Sequence, residues 1–172
     1  MSSDATATSE SDEATDSGVE LHPLGGEPVS LAQQTRLFQL MAVVIDPYTD
    51  ESSWILRTAS RILGEFAEAD CRTAWIVTCG EDDSKRFLGP YADEFLTFCD
   101  EDRSVVDALG LDTLPALVTV DNDGEVMGSA EGWDPPAWRE VTDEIAGILA
   151  WSRPVYPKPG DPAPFPGTPA KG

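Results

Sequence analysis

Between residues 41 and 149 the apolar residues of this chain change period in a fixed order, and that order restricts the fold more than any other feature. Residues 42–45 form a continuous apolar run, the pattern of a strand covered on both faces. Trp54, Ile55, Thr58, Ala59, Ile62, Leu63 and Phe66 then recur at helical spacing and predict a helix over residues 51–68. Residues 73–78 read as a second buried strand, 82–88 as a short helix stopped at Gly89-Pro90, 95–98 as a third strand, and 104–109 as a short helix ended by Gly110. A hairpin follows. Residues 116–120 and 125–130 flank Asn122-Asp123-Gly124, and an Asp-Gly pair tolerates the positive φ of a tight turn. The last helix has the clearest punctuation: Asp134 is placed to cap it, Pro135 suits its first position, and Trp133 can staple onto Trp138. Residues 30–40 admit two readings, a short helix capped by Ser30 or an extension of the first strand over 37–40. The order of elements is βαβ, a short insertion, a helix, a hairpin and a closing helix, which is α/β.

The 172 residues suit one domain with tails, and 41% apolar residues are enough for its core. Residues 1–28 are rich in Ser, Thr, Ala and acids without Lys or Arg, and predict an acidic disordered tail. The domain is expected over 29–152. Residues 153–172 hold seven prolines, which lack the amide donor, and predict a Pro-rich disordered tail. Its Pro-x-x-Pro spacing, Pro154-Val155-Tyr156-Pro157, has the form of a docking motif for an aromatic groove, although a flexible terminus explains it as well.

A net charge of −21 argues against a nucleic-acid surface, which needs clustered Lys and Arg, and disfavours anionic membranes. With Lys only at Lys85, Lys158 and Lys171, the acidity fits a solvated surface or a salt-rich cytoplasm. The longest apolar run, residues 40–45, is far too short for membrane insertion, and no basic stretch followed by an apolar one marks a secretory leader. The expected compartment is therefore the cytoplasm.

The three cysteines, Cys71, Cys79 and Cys99, form no Cys-x-x-Cys and have no zinc spacing. The single histidine, His22, falls in the expected acidic tail, so no histidine-based catalytic or metal site is predicted. Asp121-Asn122-Asp123-Gly124-Glu125 looks superficially like a calcium loop but lacks the distal bidentate Glu, and a hairpin turn accounts for it. No metal or other cofactor is predicted.

Over residues 38–151 this order resembles the thioredoxin superfamily. The resemblance rests on Asp100-Glu101-Asp102-Arg103 followed by Thr113-Leu114-Pro115-Ala116, on the 118–126 hairpin, and on Gly132-Trp133-Asp134 leading to Trp138. The extra segment 81–98 places it nearer the peroxiredoxin-like and cytochrome-maturation-like branches. The resemblance implies a central mixed sheet of about five strands flanked by helices, between the two disordered tails. It implies a cis bond before Pro115, beside the active-site turn, with the backbone of Leu114 facing bound peptide. It also puts the two sulfur positions at Thr49 and Ser52, or, one residue on, at Asp50 and Ser53, where this chain has oxygen side chains. Hydroxyls do not carry out thiol–disulfide exchange, and Asp50 and Glu51 at the helix start would repel a thiolate. Asp50, Ser52 and Ser53 therefore read as helix caps.

The reading that follows is a redox-inactive thioredoxin-like protein serving as a protein-binding or accessory module. Its candidate groove is formed by Thr49, Asp50, Ser52, Leu114 and Pro115, and its partner is a protein or peptide. The alternative is a thiol–disulfide oxidoreductase or thiol sensor using Cys79 and Cys99. These cysteines follow two predicted strands and would share a sheet edge if the strands were parallel. A third reading is an acidic adaptor working through its tails.

Overall fold

The computed structural model describes residues 19–170. The strands are β1 (Glu20–Pro23), β2 (Val29–Ser30), β3 (Gln39–Ile45), β4 (Cys71–Val77), β5 (Leu96–Cys99), β6 (Thr113–Leu114), β7 (Ala116–Val120), β8 (Val126–Glu131) and β9 (Thr168–Pro169). The helices are α1 (Leu31–Thr35), α2 (Asp50–Glu65), α3 (Glu81–Leu88), α4 (Ser104–Ala108) and α5 (Pro135–Leu149), with a 3-10 turn at Gly89–Asp93.

Seven strands form one mixed sheet in the order β2-β1-β5-β4-β3-β7-β8, and β6 pairs with β9 apart from it. β3, β4 and β5 run parallel, whereas β7 returns antiparallel to β3 and β8 antiparallel to β7. Alternation along β3 feeds two cores. Met41, Val43 and Ile45 face α2 and α5, packing with Ile55, Ile62, Phe66, Trp138 and Ile145. Leu40, Ala42 and Val44 face α1 and α4, packing with Leu31, Val105 and Val106. With a helix layer on each face, the parallel strands are apolar throughout, as the runs in the sequence predict.

The expected five strands become seven because β1 and β2 extend the sheet. β1 pairs antiparallel with β5, His22 opposite Cys99 and Pro23 opposite Phe98, and Leu21 is fully buried. The domain therefore starts before residue 29, and His22 lies on a strand rather than in a tail. One buried leucine in a four-residue strand shows no periodicity, so local sequence hides it. Residues 1–18 of the expected acidic tail lie outside the described residues. Of the two readings of 30–40, the helix is realised, with Ser30 capping α1 in a capping box with Gln33, and the strand extension only from Gln39, since residues 37–38 lie outside β3.

The larger correction concerns the C-terminal segment, which packs onto the domain as far as Ala170. Tyr156 and Ala170 are buried, and Asp161 forms a bidentate pair with Arg61 at 2.7 and 2.8 Å. A proline-rich segment lacks donors but keeps every carbonyl, and here the domain supplies the donors. Trp133 Nε1 donates to the carbonyl of Pro162 at 2.8 Å, Arg139 to that of Tyr156 at 2.9 Å, and the backbone N–H of Trp133 to that of Phe165 at 2.8 Å.

Candidate functional site

The C-terminal ends of β3 and β4 lie side by side, and each carries candidate residues named above. At the end of β3 the chain turns through Asp46 into α2. Asp46 is 3% exposed, and its carboxylate accepts from the amide of Tyr48 at 3.0 Å and from Arg103 Nη2 at 3.0 Å. Thr49 occupies the N-cap position of α2, but its side chain makes no cap bond. Its hydroxyl donates instead to the carbonyl of Asp46 at 3.0 Å. Ser52 is fully buried and its Oγ accepts from the amide of Asp46 at 2.9 Å, while the Ser53 hydroxyl donates to the carbonyl of Asp50 at 2.6 Å. The two serines are thus not caps: Ser52 ties the helix start to the strand end. Asp50 is exposed in the first turn with Glu51, where both complement the helix dipole. Asp134 likewise sits at an N-cap without a side-chain cap bond; α5 is held there by Trp138, whose Nε1 donates to the carbonyl of Gly132 at 2.8 Å and whose ring lies edge-on to Trp133 at 5.0 Å.

Leu114 and Pro115, joined by a cis peptide, lie beside this turn because Val44 pairs with Ala116 across β3 and β7. Leu114 is fully buried, and its backbone is already paired. β9 lies antiparallel to β6, with Leu114 opposite Thr168 and Thr113 opposite Pro169. Arg103 joins the two halves of the groove, since its guanidinium reaches both Asp46 and the carbonyl of Ala170. Arg103 was not legible as part of the site; it follows three acids and sits in the left-handed region at φ 61°. Asp100 is 2% exposed and accepts from the amides of Val105 and Val106. Burial pushes its carboxyl up, against the pull of those two bonds.

At the neighbouring edge, β4 and β5 are parallel, with Val77 opposite Cys99. Cys79 and Cys99 do share that edge, but their sulfurs are not at disulfide distance, and both are free. The buried hydroxyl of Ser84 lies between them, 3.1 Å from Cys79 Sγ and 3.4 Å from Cys99 Sγ. Burial pushes both thiols up, and the Ser84 hydrogen bond opposes this. Cys71 is pushed up to about 11, also by burial, with Asp70 adding to the effect. Raised thiols are poor nucleophiles at neutral pH. Beside Cys99 opens a cavity of about 910 Å³, where Glu81, Asp82, Glu101 and Asp102 face His22 and Lys85. No group of three His, Cys, Asp or Glu side chains converges on a possible metal position among the described residues. In the hairpin, the Asp121 carboxylate accepts from the amides of Asp123 and Glu125.

No family model matches this sequence and no curated protein matches it, whereas solved structures do. A hypothetical protein of Sinorhizobium meliloti superposes with a TM-score of 0.63 at 15% identity, covering 88% of this chain and 89% of the other. A secreted disulfide oxidoreductase of Mycobacterium tuberculosis gives 0.55 at 18% identity, covering 76% and 93%. An uncharacterized thioredoxin-like protein of Porphyromonas gingivalis gives 0.59 at 14% identity, covering 77% and 90%. The fold of this chain is thioredoxin-like, and the structures it matches include thiol–disulfide oxidoreductases. No helix among the described residues is long and apolar enough to cross a membrane.

Proposed function

We propose that this chain is a polypeptide-binding or accessory module on a thioredoxin-like scaffold, without thiol–disulfide chemistry at the turn before α2. The observation that carries the reading is the strand pairing at Leu114, where the groove accepts an extended segment in antiparallel register. Strand addition supplies affinity through main-chain bonds and selectivity through side-chain pockets. The turn supports the same reading. Thr49 and Ser52 spend their hydroxyls on the backbone and side chain of the turn itself, and among the described residues neither hydroxyl is hydrogen-bonded to a carboxylate or histidine. The thiol reading is disfavoured by the raised Cys79 and Cys99 and by Ser84 between them.

The test has two arms, both on the full chain. Peptide arrays are screened for binders, and each binder is checked for shifts of the amide resonances of Asp112 to Leu114. In parallel, reduction of insulin disulfides is assayed. The module reading expects binders that move those resonances and no turnover. Turnover abolished by Cys79→Ser, or binders that leave the groove resonances unmoved, would overturn it.

A further inference from the structure

The segment paired with Leu114 belongs to this same chain, residues 168–169, and its fit is more specific than strand pairing requires. Phe165 forms an antiparallel bridge with Trp133, with amide-to-carbonyl distances of 2.8 and 3.0 Å in the two directions. Its ring meets the otherwise exposed Trp54 edge-on at 5.5 Å and 87°. Two residues on, Gly167 has φ +83°, and a Cβ there would lie 2.6 Å from the carbonyl oxygen of Leu114. The groove answers with a glycine of its own. A Cβ on Gly132, at φ +69°, would lie 2.5 Å from the carbonyl oxygen of Pro166. Two glycines 35 positions apart thus both lack the atom that would part the surfaces. Ala170 is fully buried, its amide donates to the carbonyl of Asp112 at 2.8 Å, and its carbonyl receives Arg103.

The segment is also built in two parts. Residues 154–161 are anchored by buried Tyr156 and by Asp161 on Arg61 and Thr58. Residues 162–170 touch the groove through a two-residue ladder that stands apart from the main sheet. A tethered tip of this kind occupies its site at an effective concentration of the order of millimolar, which a matching partner segment can exceed or replace.

We infer that residues 162–170 are an exchangeable internal ligand, and that the groove recognises an extended segment with the pattern Phe-x-Gly-x-x-Ala, supplied by this chain or by a partner. The inference rests on the binding reading above and gives it a ligand chemistry. A Phe-anchored, Gly-containing segment fits because Trp54 meets the ring, the backbone of Trp133 pairs with that of Phe165, and Gly132 admits the chain.

The experiment uses the full chain and a fluorescent peptide of residues 162–172. Gly167→Val, which puts a Cβ against Leu114, should expel the resident tip. The peptide should then bind this variant at least about tenfold more tightly than the wild type. A peptide carrying the same Gly→Val change should lose that binding. Equal binding to both chains, or indifference to the peptide's glycine, overturns the inference. If peptides without the pattern bind the variant and move the Leu114 resonance while this one does not, the internal-ligand inference fails and the binding reading survives. If no peptide binds, both fail. A second measurement needs no variant: hydrogen exchange of the Ala170 amide in the wild-type chain should accelerate as unlabelled peptide is added to several times the roughly millimolar effective concentration. A rate that stays flat overturns the inference whether or not Gly167→Val folds.

Discussion

The ends of β3 and β4 are adjacent, parallel and paired in register, yet they are finished in opposite ways. At the end of β3, chain fills the space. Asp46 is satisfied on both oxygens, Ser52 stitches the helix to the strand, and β9 covers Leu114. Beyond β4 and β5 the edge opens onto a cavity lined by Glu81, Asp82, Glu101 and Asp102 and by Cys99, with Ser84 between the sulfurs of Cys79 and Cys99. The turn where the fold's chemistry would be expected has no sulfur, and the edge that retains sulfur has its thiols pushed up by burial. Strand addition needs an edge whose backbone groups are open to an added segment, whereas thiol chemistry needs a stabilised thiolate. At Leu114 an edge pairs with an extended segment, and at the neighbouring edge burial pushes both thiols up.

The comparison can be broken most severely at Trp133. Trp133→Ala removes a fully buried ring packed against Trp138 and Tyr156 and a donor to the C-terminal segment. It should cost about 3–5 kcal/mol in urea unfolding. In native buffer it should also expose residues 162–170 to hydrogen exchange while the alkylation rate of Cys79 stays the same. Equal loosening of both regions would show that they are one cooperative unit.

Next in size is Arg103→Ala, which leaves Asp46 buried without its cation and should cost about 2–3 kcal/mol by urea midpoint. Adding Asp46→Asn should restore part of that loss, because the buried charge goes with it.

The acid limb of stability separates the anchor from the tip. The Arg61 guanidinium, opposed by burial, holds Asp161 down at about 2 from its ordinary 3.8. The folded value lies below the unfolded one, so the stabilisation is fully present above the ordinary range. It fades as pH falls from about 4 to about 2. A loss of about 1–2 kcal/mol is expected over that window, allowing for the partly exposed Arg61. Asp161→Asn should flatten this part of the curve, measured as melting temperature against pH.

The smallest effects belong to the thiol edge. Iodoacetamide should label Cys79 and Cys99 slowly at neutral pH, with rates climbing only above the ordinary thiol range, since both are pushed up. Cys79→Ser should change stability by about 1 kcal/mol or less. Fast labelling at neutral pH would erase the contrast between the two edges.

What was legible in the sequence was local. The β3 run, the α2 periodicity, the Asp-Gly turn and the Trp133–Trp138 staple each depend on residues within a few positions of one another. The β1 strand and the C-terminal segment depend on distant partners. A single buried Leu21 needs the free edge of β5, and the carbonyls of Tyr156, Pro162 and Ala170 need the donors of Arg139, Trp133 and Arg103. Of the candidate groove, Leu114, Pro115, Thr49 and Ser52 were legible as positions. Their present partners were not, because hydroxyl and backbone bonds are chosen only once the chain has packed.

The sequence alone determined the α/β order, the hairpin and the lack of paired sulfurs at the turn, because period, turn chemistry and residue identity are properties of short stretches. Tertiary structure alone decided that Cys79 and Cys99 sit on either side of Ser84 and that Gly167 meets Gly132. It also decided that a donor-poor terminus lies along Leu114. Each of these requires groups distant in the chain to satisfy one another's space and hydrogen bonds, and no local pattern encodes that.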